Sequence, residues 1–213
     1  MAAAVKRKSP REGTGKGHAT QIDSTTVSGA YRACLARGDH RGSAMLLVAA
    51  TTGLRAFQLA SLTWEQVLDA KGGVGDEVRV PLQKSKGKHE SRTLPLPPKT
   101  ITALKILFDE TKHKNLKDPI FVSQRTSEAL TAQAVVDWFR RIFRRVGVNA
   151  SAHSVRRFFI TQAARSMTMA RGSTKDLMYL AQHRNYQTTA KYIDTDPEAQ
   201  GQMAAIVAQQ IRI

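Results

Sequence analysis

The sequence has a single cysteine, Cys34, among its 213 residues. An intramolecular disulfide is therefore excluded, and a reducing compartment fits the chain. The sequence contains no apolar run long enough to span a membrane, and the alanines after Met1 are too few for a secretory signal. These absences predict a cytoplasmic protein that has no contact with a membrane.

Motifs for metals and nucleotides are also missing. Cysteine and histidine do not recur at the spacing of zinc ligands, and no glycine-rich loop precedes a Lys-Ser or Lys-Thr pair. The sequence therefore predicts chemistry that uses no metal, no ATP and no other cofactor.

Acidic residues are scarce. Asp and Glu number 17 against 33 Lys and Arg, which gives a formal net charge of +16. Such an excess attracts polyanions and releases their counterions on binding, so nucleic acid is the predicted partner. A charge that only confers solubility is the alternative. Hydrophobic residues make up 41% of the chain, which is enough for one packed domain.

Residues 1–22 are basic and lack an apolar period, which predicts a flexible arm that either follows a DNA backbone or is an ordinary disordered terminus. Residues 23–213 are predicted to form one domain, mostly α with a small antiparallel β-sheet (an α+β fold). Apolar spacing and capping signals predict helices near 24–37, 41–52, 99–112, 131–146, 155–167 and 197–211, and another after the capping box Ser173–Asp176. Alternation at Val78, Val80 and Leu82 predicts a strand, and residues 93–96 are its expected hairpin partner.

Five side chains match the needs of phosphodiester chemistry without a metal: Arg55, His153, Arg156, His183 and Tyr192. Arginine keeps its charge at physiological pH and grips phosphate oxygens through a planar fork of donors. Histidine carries protons near neutrality, and a tyrosine hydroxyl becomes a covalent nucleophile once it loses its proton. Because His153 lies three residues before Arg156, both are expected on one helical face.

Tyr192 has one competitor as the nucleophile. Tyr186 lies six residues earlier, in a segment that reads as a loop, whereas Tyr192 lies in the pattern Thr-Thr-x-x-Tyr-Ile that begins at Thr188. A phenol gives up its proton reluctantly near neutral pH, so cationic neighbours must favour the phenolate. The sequence favours Tyr192.

Four blocks of the chain resemble the catalytic domain of the tyrosine recombinase (phage integrase) family, in the family's order. They are residues 52–64, 84–96, 153–157 and 180–193, and the resemblance covers roughly residues 24–205. Two departures are visible: Gln58 stands where an acidic residue is usual, and Gln182 stands where glycine is usual.

The resemblance implies a site-specific recombinase or integrase that cleaves and rejoins DNA through a 3′-phosphotyrosyl bond on Tyr192. Arg55 and Arg156 would clamp the phosphate, His153 would carry protons, and His183 would donate a hydrogen bond to the phosphate. A lysine on the hairpin would protonate the leaving 5′-oxygen. Lys86 best matches the family position, and Lys84 and Lys88 compete with it.

Further residues are predicted to contact the DNA backbone. They are Lys84, Lys88, Arg140, Arg141, Arg144, Arg145 and Arg157. The four arginines between 140 and 145 have no acidic residue among them and face away from the apolar stripe of their helix. A solvated charged face is the alternative for these four, and a structural role is the alternative for Arg157.

The resemblance also implies an assembly in which four protomers hold two sites on double-stranded DNA. The final helix, near 197–211, would dock on a neighbouring protomer; packing of that helix on its own core is the alternative. A family-type N-terminal clamp domain is not seen before residue 23, so both a short natural recombinase and a fragment stay open. Type IB topoisomerase-like relaxation and a non-catalytic DNA-binding relic are the competing functions. The target sequence, and the choice among integration, excision and inversion, cannot be read from the chain.

Overall fold

The computed structural model of the protein describes residues 20–81, 91–111 and 115–193. Within these ranges the chain is mostly helical and carries one two-stranded antiparallel sheet, which confirms the predicted α+β class. The elements are α1 (Ser24–Leu35), α2 (His40–Thr52), α3 (Ala56–Ala60), a 3-10 turn (Trp64–Gln66), β1 (Glu77–Pro81), β2 (Ser91–Pro95), α4 (Pro98–Glu110), α5 (Ala132–Arg145), α6 (Ala152–Ser166), α7 (Thr174–Ala181) and α8 (Tyr186–Ala190).

Helices begin where side chains can satisfy their first backbone N–H groups. The predicted capping box of α7 is confirmed, because the Ser173 backbone N–H donates to Asp176 Oδ2 at 2.7 Å and the Asp176 N–H donates to Ser173 Oγ at 3.3 Å. Thr131 caps α5 with a single bond, in which its hydroxyl oxygen accepts from the Ala134 backbone N–H. The start predicted for α6 is wrong by three residues: the helix begins at Ala152, so its first turn includes His153.

Most of the apolar core lies around α2 and α5. Helix α2 packs against α1, α4 and α6, while α5 packs against α1, α3 and α6. The largest side chains buried there are Met45, Leu46, Trp64, Phe121, Phe139 and Phe143. Cys34 is a buried core residue as predicted, and burial raises the pKa of its thiol to about 12. A thiol that holds its proton so firmly is not a nucleophile.

A second, smaller apolar cluster lies under the end of the described chain. Ile160, Leu177 and Ala181 form its buried part, and Tyr192 and Ile193 pack against it. This cluster packs α7 and the residues that follow α8 against the second half of α6. The segment that carries Tyr192 is therefore supported by a small cluster of its own rather than by the main core.

The two strands pair with Glu77 opposite Pro95 and Pro81 opposite Ser91. Burial alternates along both strands, and β2 turns Arg92 and Leu94 inward. The predicted strand residue Leu82 lies outside the described residues, as do residues 1–19 of the arm and the predicted helix at 197–211. In the part of the chain that the structure describes, no helix combines the length and the apolar character needed to cross a membrane.

Candidate active site

The turn after α2 sets the position of the first predicted arginine. Gly53 adopts a left-handed conformation (φ +64°), and its N–H group bonds back to the Ala49 carbonyl. A side chain on Gly53 would collide with the ring of Phe159. Glycine therefore satisfies both the backbone conformation and the close packing against α6. The chain then turns at once into α3, with Arg55 as its N-cap.

Arg156 joins three elements. It lies on α6 and is only 5% exposed. Its Nη1 donates to the Gly53 carbonyl at 2.5 Å, and its Nη2 donates to the Ala181 carbonyl at the end of α7. Burial, reinforced by the charge of Arg55, lowers the pKa of Arg156 to about 10, which still leaves it protonated at neutral pH. The guanidinium is thus fixed in place and charged.

Arg55 is held by two glutamines. Its Nη1 donates to Gln182 Oε1 at 2.9 Å, and its backbone N–H donates to Gln58 Oε1, also at 2.9 Å. Burial lowers its pKa. Its charge also lowers the pKa of Arg156. The structure therefore brings the two predicted clamp arginines together.

A third arginine lies beside them that was not predicted as a site residue. Arg92 on β2 is 6% exposed, and its guanidinium carbon lies 4.2 Å from the centroid of the Tyr179 ring. Its Nε and Nη2 have no hydrogen-bond partner in the described ranges. Its charge lowers the pKa of Arg156. The alternating pattern of β2, which turns Leu94 inward, would also have placed Arg92 inside.

No carboxylate compensates these three arginines within the described residues. The ion pairs found there are His40 with Glu110 and Arg140 with Asp137, and neither includes an arginine of the cluster. We call Arg55, Arg92 and Arg156 the arginine cluster. Buried like charges without an anion raise each other's energy, so the cluster is suited to hold an anion.

Both predicted histidines adjoin this cluster. His153 lies in the first turn of α6, and its pKa is lowered by burial and by the charges of Arg156, Arg157 and Arg55. Burial, Arg156 and Arg55 lower the pKa of His183 in the same way. Both imidazoles are therefore mostly neutral at pH 7. His183 Nδ1 lies 3.0 Å from Thr189 Oγ1, which fixes the plane of its ring.

Tyr192 completes the group. Its ring stacks on His183 with centroids 6.0 Å apart and planes inclined by 30°. A negative charge on Tyr192 raises the pKa of Arg156, which places its hydroxyl within electrostatic reach of the guanidinium. Tyr186 is 56% exposed, and the expectation that it lies in a loop is wrong, because Asn185 caps α8 and Tyr186 opens it. Of the two tyrosines, Tyr192 is the one beside His183.

The other predicted DNA contacts lie elsewhere or outside the described residues. Arg140, Arg141, Arg144 and Arg145 are exposed, and we call them the α5 arginine face. Arg140 Nη1 lies 3.3 Å from Asp137 Oδ1, so an acidic residue one turn earlier on the helix contacts this face. Arg157 is half-buried and lines a pocket with Ile22 and Thr26, whereas Lys84, Lys86 and Lys88 fall in the undescribed stretch 82–90.

The α5 arginine face and the arginine cluster lie near opposite ends of α2. The charge of Arg141 lowers the pKa of Arg41 in the first turn of α2, while Gly53 ends the helix. A helix of 13 residues is about 20 Å long. At Arg141, the α5 arginine face is thus about the length of α2 away from the turn that carries Arg55. Among the described residues, no group of three His, Cys, Asp or Glu side chains could hold a metal ion.

Sequence comparison then identifies the family. The model of the phage integrase family matches residues 22–199. The chain belongs to the phage integrase family. It is a DNA strand-transferring tyrosine recombinase, as the order of its four sequence blocks predicted. No curated protein sequence is significantly similar to this recombinase.

Solved structures show the same fold. XerA recombinase superposes with a TM-score of 0.67 at 20% identity, over 94% of this chain and 68% of that one. The Tn1549 transposon integrase in complex with circular intermediate DNA gives 0.68 at 18% identity, over 88% and 67%. A lambda integrase dimer bound to a COC′ core site gives 0.61 at 17% identity, over 84% and 49%. At these identities the likeness establishes the fold of the recombinase.

Proposed function

We propose that this recombinase cleaves and rejoins DNA at specific sites through a 3′-phosphotyrosyl bond on Tyr192, without a metal or a nucleotide. The observation that carries the proposal is the arginine cluster, which has no compensating carboxylate among the described residues and adjoins Tyr192 and two histidines. Such a pocket suits a phosphate whose negative charge grows in the transition state.

Arg55 and Arg156 hold the two non-bridging oxygens of the scissile phosphate. Arg156 already uses two donors on the carbonyls of Gly53 and Ala181, so it has little freedom to reorient when DNA binds. Charges that are fixed before the reaction stabilise a transition state without a cost of reorganisation. They also supply the positive charge that a metal ion would otherwise provide.

Proton transfer falls to the histidines. A neutral His153 can accept the phenolic proton of Tyr192, and its lowered pKa keeps it neutral at pH 7. His183 is proposed to donate a hydrogen bond to the phosphate from Nε2. That role requires Nδ1 to accept a hydrogen bond from the Thr189 hydroxyl, and the 3.0 Å separation of these two atoms allows it.

The attack is a transesterification. The Tyr192 oxygen forms a bond to phosphorus, the bond from phosphorus to the 5′-oxygen breaks, and the 5′-oxygen takes up a proton. Each step exchanges one ester for another, so the energy of the bond is retained and no ATP is required. The reverse reaction with a new 5′-hydroxyl rejoins the strands.

Lys86 is proposed as the donor of that proton, with Lys84 and Lys88 as competitors. The support is the position of the strands that flank these residues, because Arg92 on β2 belongs to the arginine cluster. A 5′-bridging sulfur leaves as a thiolate and needs no proton. Such a substrate should rescue Lys86→Ala strongly and Arg156→Ala weakly in a single-turnover cleavage assay. Equal failure of Lys86→Ala on the normal and the sulfur substrate would move the role to Lys84 or Lys88, or leave Lys86 a phosphate contact only.

The substrate is proposed to be duplex DNA held by several protomers. The Tn1549 integrase was solved with circular intermediate DNA, and the lambda integrase as a dimer on a core site. By analogy, four protomers would hold two DNA sites, and residues 197–211, which lie outside the described chain, would dock on a neighbour. Residues 1–22 and the α5 arginine face would add contacts to the DNA backbone.

Covalent trapping on a nicked suicide substrate tests this function. Tyr192→Phe removes only a hydroxyl, so we expect the protein–DNA band on a denaturing gel to disappear while binding of the DNA persists. Tyr186→Phe is the matched control and should form the band normally, in excess EDTA and without nucleotide. A band that persists in Tyr192→Phe, or that needs magnesium, contradicts the proposal.

A further inference from the structure

The two positions at which this chain departs from the family pattern, Gln58 and Gln182, contact each other. Gln58 Nε2 donates to Gln182 Oε1 at 2.9 Å, although the two residues are 124 positions apart. The same oxygen accepts the hydrogen bond from Arg55 Nη1, also at 2.9 Å. The two departures therefore form a single structural unit, and this unit holds Arg55.

The backbone explains why position 182 is special. Gln182 ends α7 in a left-handed conformation (φ +54°), which favours glycine and strains a longer side chain. In addition, its Nε2 is a buried donor without a partner in the part of the chain that the structure describes. Glutamine is thus locally unfavourable at this position on two counts. The contact that offsets this cost is the one to Arg55 and Gln58.

The orientation of both amides follows from their donors. Gln182 Oε1 accepts two hydrogen bonds, so the reversed amide would set an NH2 group against two donors. Gln58 Oε1 accepts from the Arg55 backbone N–H, which fixes the second amide as well. The result is a closed ring of hydrogen bonds that includes both the backbone and the guanidinium of Arg55.

We propose that Gln58 and Gln182 are positioning residues, which fix the Arg55 guanidinium for the phosphate through a neutral amide pair. The proposal rests on the proposed role of Arg55 in holding the scissile phosphate. A neutral acceptor orients the guanidinium and leaves its full positive charge for the DNA. A carboxylate in the same place would orient it and also neutralise part of that charge.

The ring makes the two positions depend on each other. In Gln58→Glu an acceptor replaces the Nε2 donor and faces the acceptor oxygen of Gln182, so the ring cannot close. In Gln182→Gly, Arg55 Nη1 loses its acceptor while the backbone strain is relieved. Arg55 Nη1 and Gln58 Nε2 both lie 2.9 Å from Gln182 Oε1, so they are close neighbours. In the double variant the side chain between them is gone, and the carboxylate introduced at position 58 can move to accept a hydrogen bond from Arg55 Nη1.

The test is a double-variant cycle, read by the single-turnover rate of covalent complex formation at saturating protein and by thermal unfolding. We expect Gln58→Glu and Gln182→Gly each to lower the rate by about tenfold, and the pair together to recover most of it. Gln182→Met keeps the strain and the bulk but lacks the acceptor, and it should lose as much as Gln182→Gly. The melting temperature of Gln182→Gly should equal or exceed that of the parent.

The outcomes separate a positioning role from a structural one. If activity only followed stability, Gln182→Gly would cleave at the parent rate, and that result overturns the proposal. Additive losses in the double variant overturn it as well. Arg55→Ala is the reference: if it retained the parent rate, the proposed function of Arg55 would fail. If it is inactive while Gln182→Gly and Gln182→Met are unimpaired, only the positioning role fails.

Discussion

Two groups of arginines in this recombinase differ in their burial and in the groups that they contact. The arginine cluster is half-buried or buried, and none of its members meets a carboxylate in the described chain; Arg55 and Arg156 bond to amide and carbonyl oxygens. The α5 arginine face is exposed, and one of its members contacts an acidic residue on the same helix. The sequence predicted Arg55 and Arg156 as the phosphate clamp and the α5 arginines as contacts to the DNA backbone, but it did not single out Arg92. Burial is what distinguishes a reaction site from a surface that attracts DNA.

The difference has an energetic basis. Desolvation of the cluster lowers the pKa of each of its members, so the protein without DNA bears the cost of holding these charges together. A phosphate offsets that cost only when it enters the cluster. Exposed arginines incur little cost and contribute a screened, non-specific attraction. The comparison predicts that substitutions in the arginine cluster strongly lower the cleavage rate. Substitutions on the α5 arginine face should lower the affinity for DNA modestly.

The largest effect is expected for Arg156→Lys. An ammonium cannot keep the bonds to Gly53 and Ala181 and also present a fork to the phosphate. We expect single-turnover cleavage to fall by about 100-fold or more, with DNA affinity nearly unchanged. Arg144→Lys is the matched control on the α5 arginine face and should cleave normally. Similar losses in both variants would remove the distinction between the two regions.

Arg92→Met is expected to raise the stability of the protein and to lower its activity. The change removes a buried charge with two unsatisfied nitrogens, so unfolding in urea should show a gain of about 1 kcal/mol. Cleavage should fall by about tenfold, because the cluster loses one cation. Arg92→Lys, which keeps the charge, should retain more activity. A methionine variant that is less stable but fully active would make Arg92 a purely structural residue.

The smallest effect is expected from Arg144→Gln/Arg145→Gln on the α5 arginine face. If these residues contact phosphates, the slope of log affinity against log salt should flatten by roughly one unit per lost contact. Cleavage at saturating protein should stay at the parent rate, since the face lies at the far end of α2. Lys99→Gln/Lys105→Gln on α4 is the control, because it removes the same number of positive charges at a different place on the surface. Identical salt slopes in the two doubles would show that the α5 face only adds to the net charge.

Local sequence signals predicted much of this molecule. Capping residues such as Ser173 and Thr131 mark helix starts, because they satisfy backbone groups within one turn. The alternation of Val78 and Val80 predicted the strand that the structure shows. Arg55, His153, Arg156, His183 and Tyr192 were predicted together, and the fold brings them to one place. Their chemical roles stay predictions.

Relations between distant segments could not be read from the sequence. In the sequence, Arg92 is only one residue of the block 84–96, because nothing nearby in the chain shows that it lies beside Tyr179 on α7. The contact between Gln58 and Gln182 joins the end of α7 to α3, and a single sequence gives no measure of such pairing. The acid contacted by Arg140 lies one helical turn away and could have been noticed.

The central claim is that the arginine cluster presents a DNA phosphate to Tyr192 without a metal. The most direct measurement is to trap the covalent complex in EDTA, digest it with nuclease and trypsin, and locate the nucleotide by mass spectrometry. Lys191 separates the two tyrosines, so they fall in different tryptic peptides. The account predicts a nucleotide on the peptide that begins at Tyr192. A nucleotide on residues 185–191, or no adduct unless magnesium is added, would contradict it.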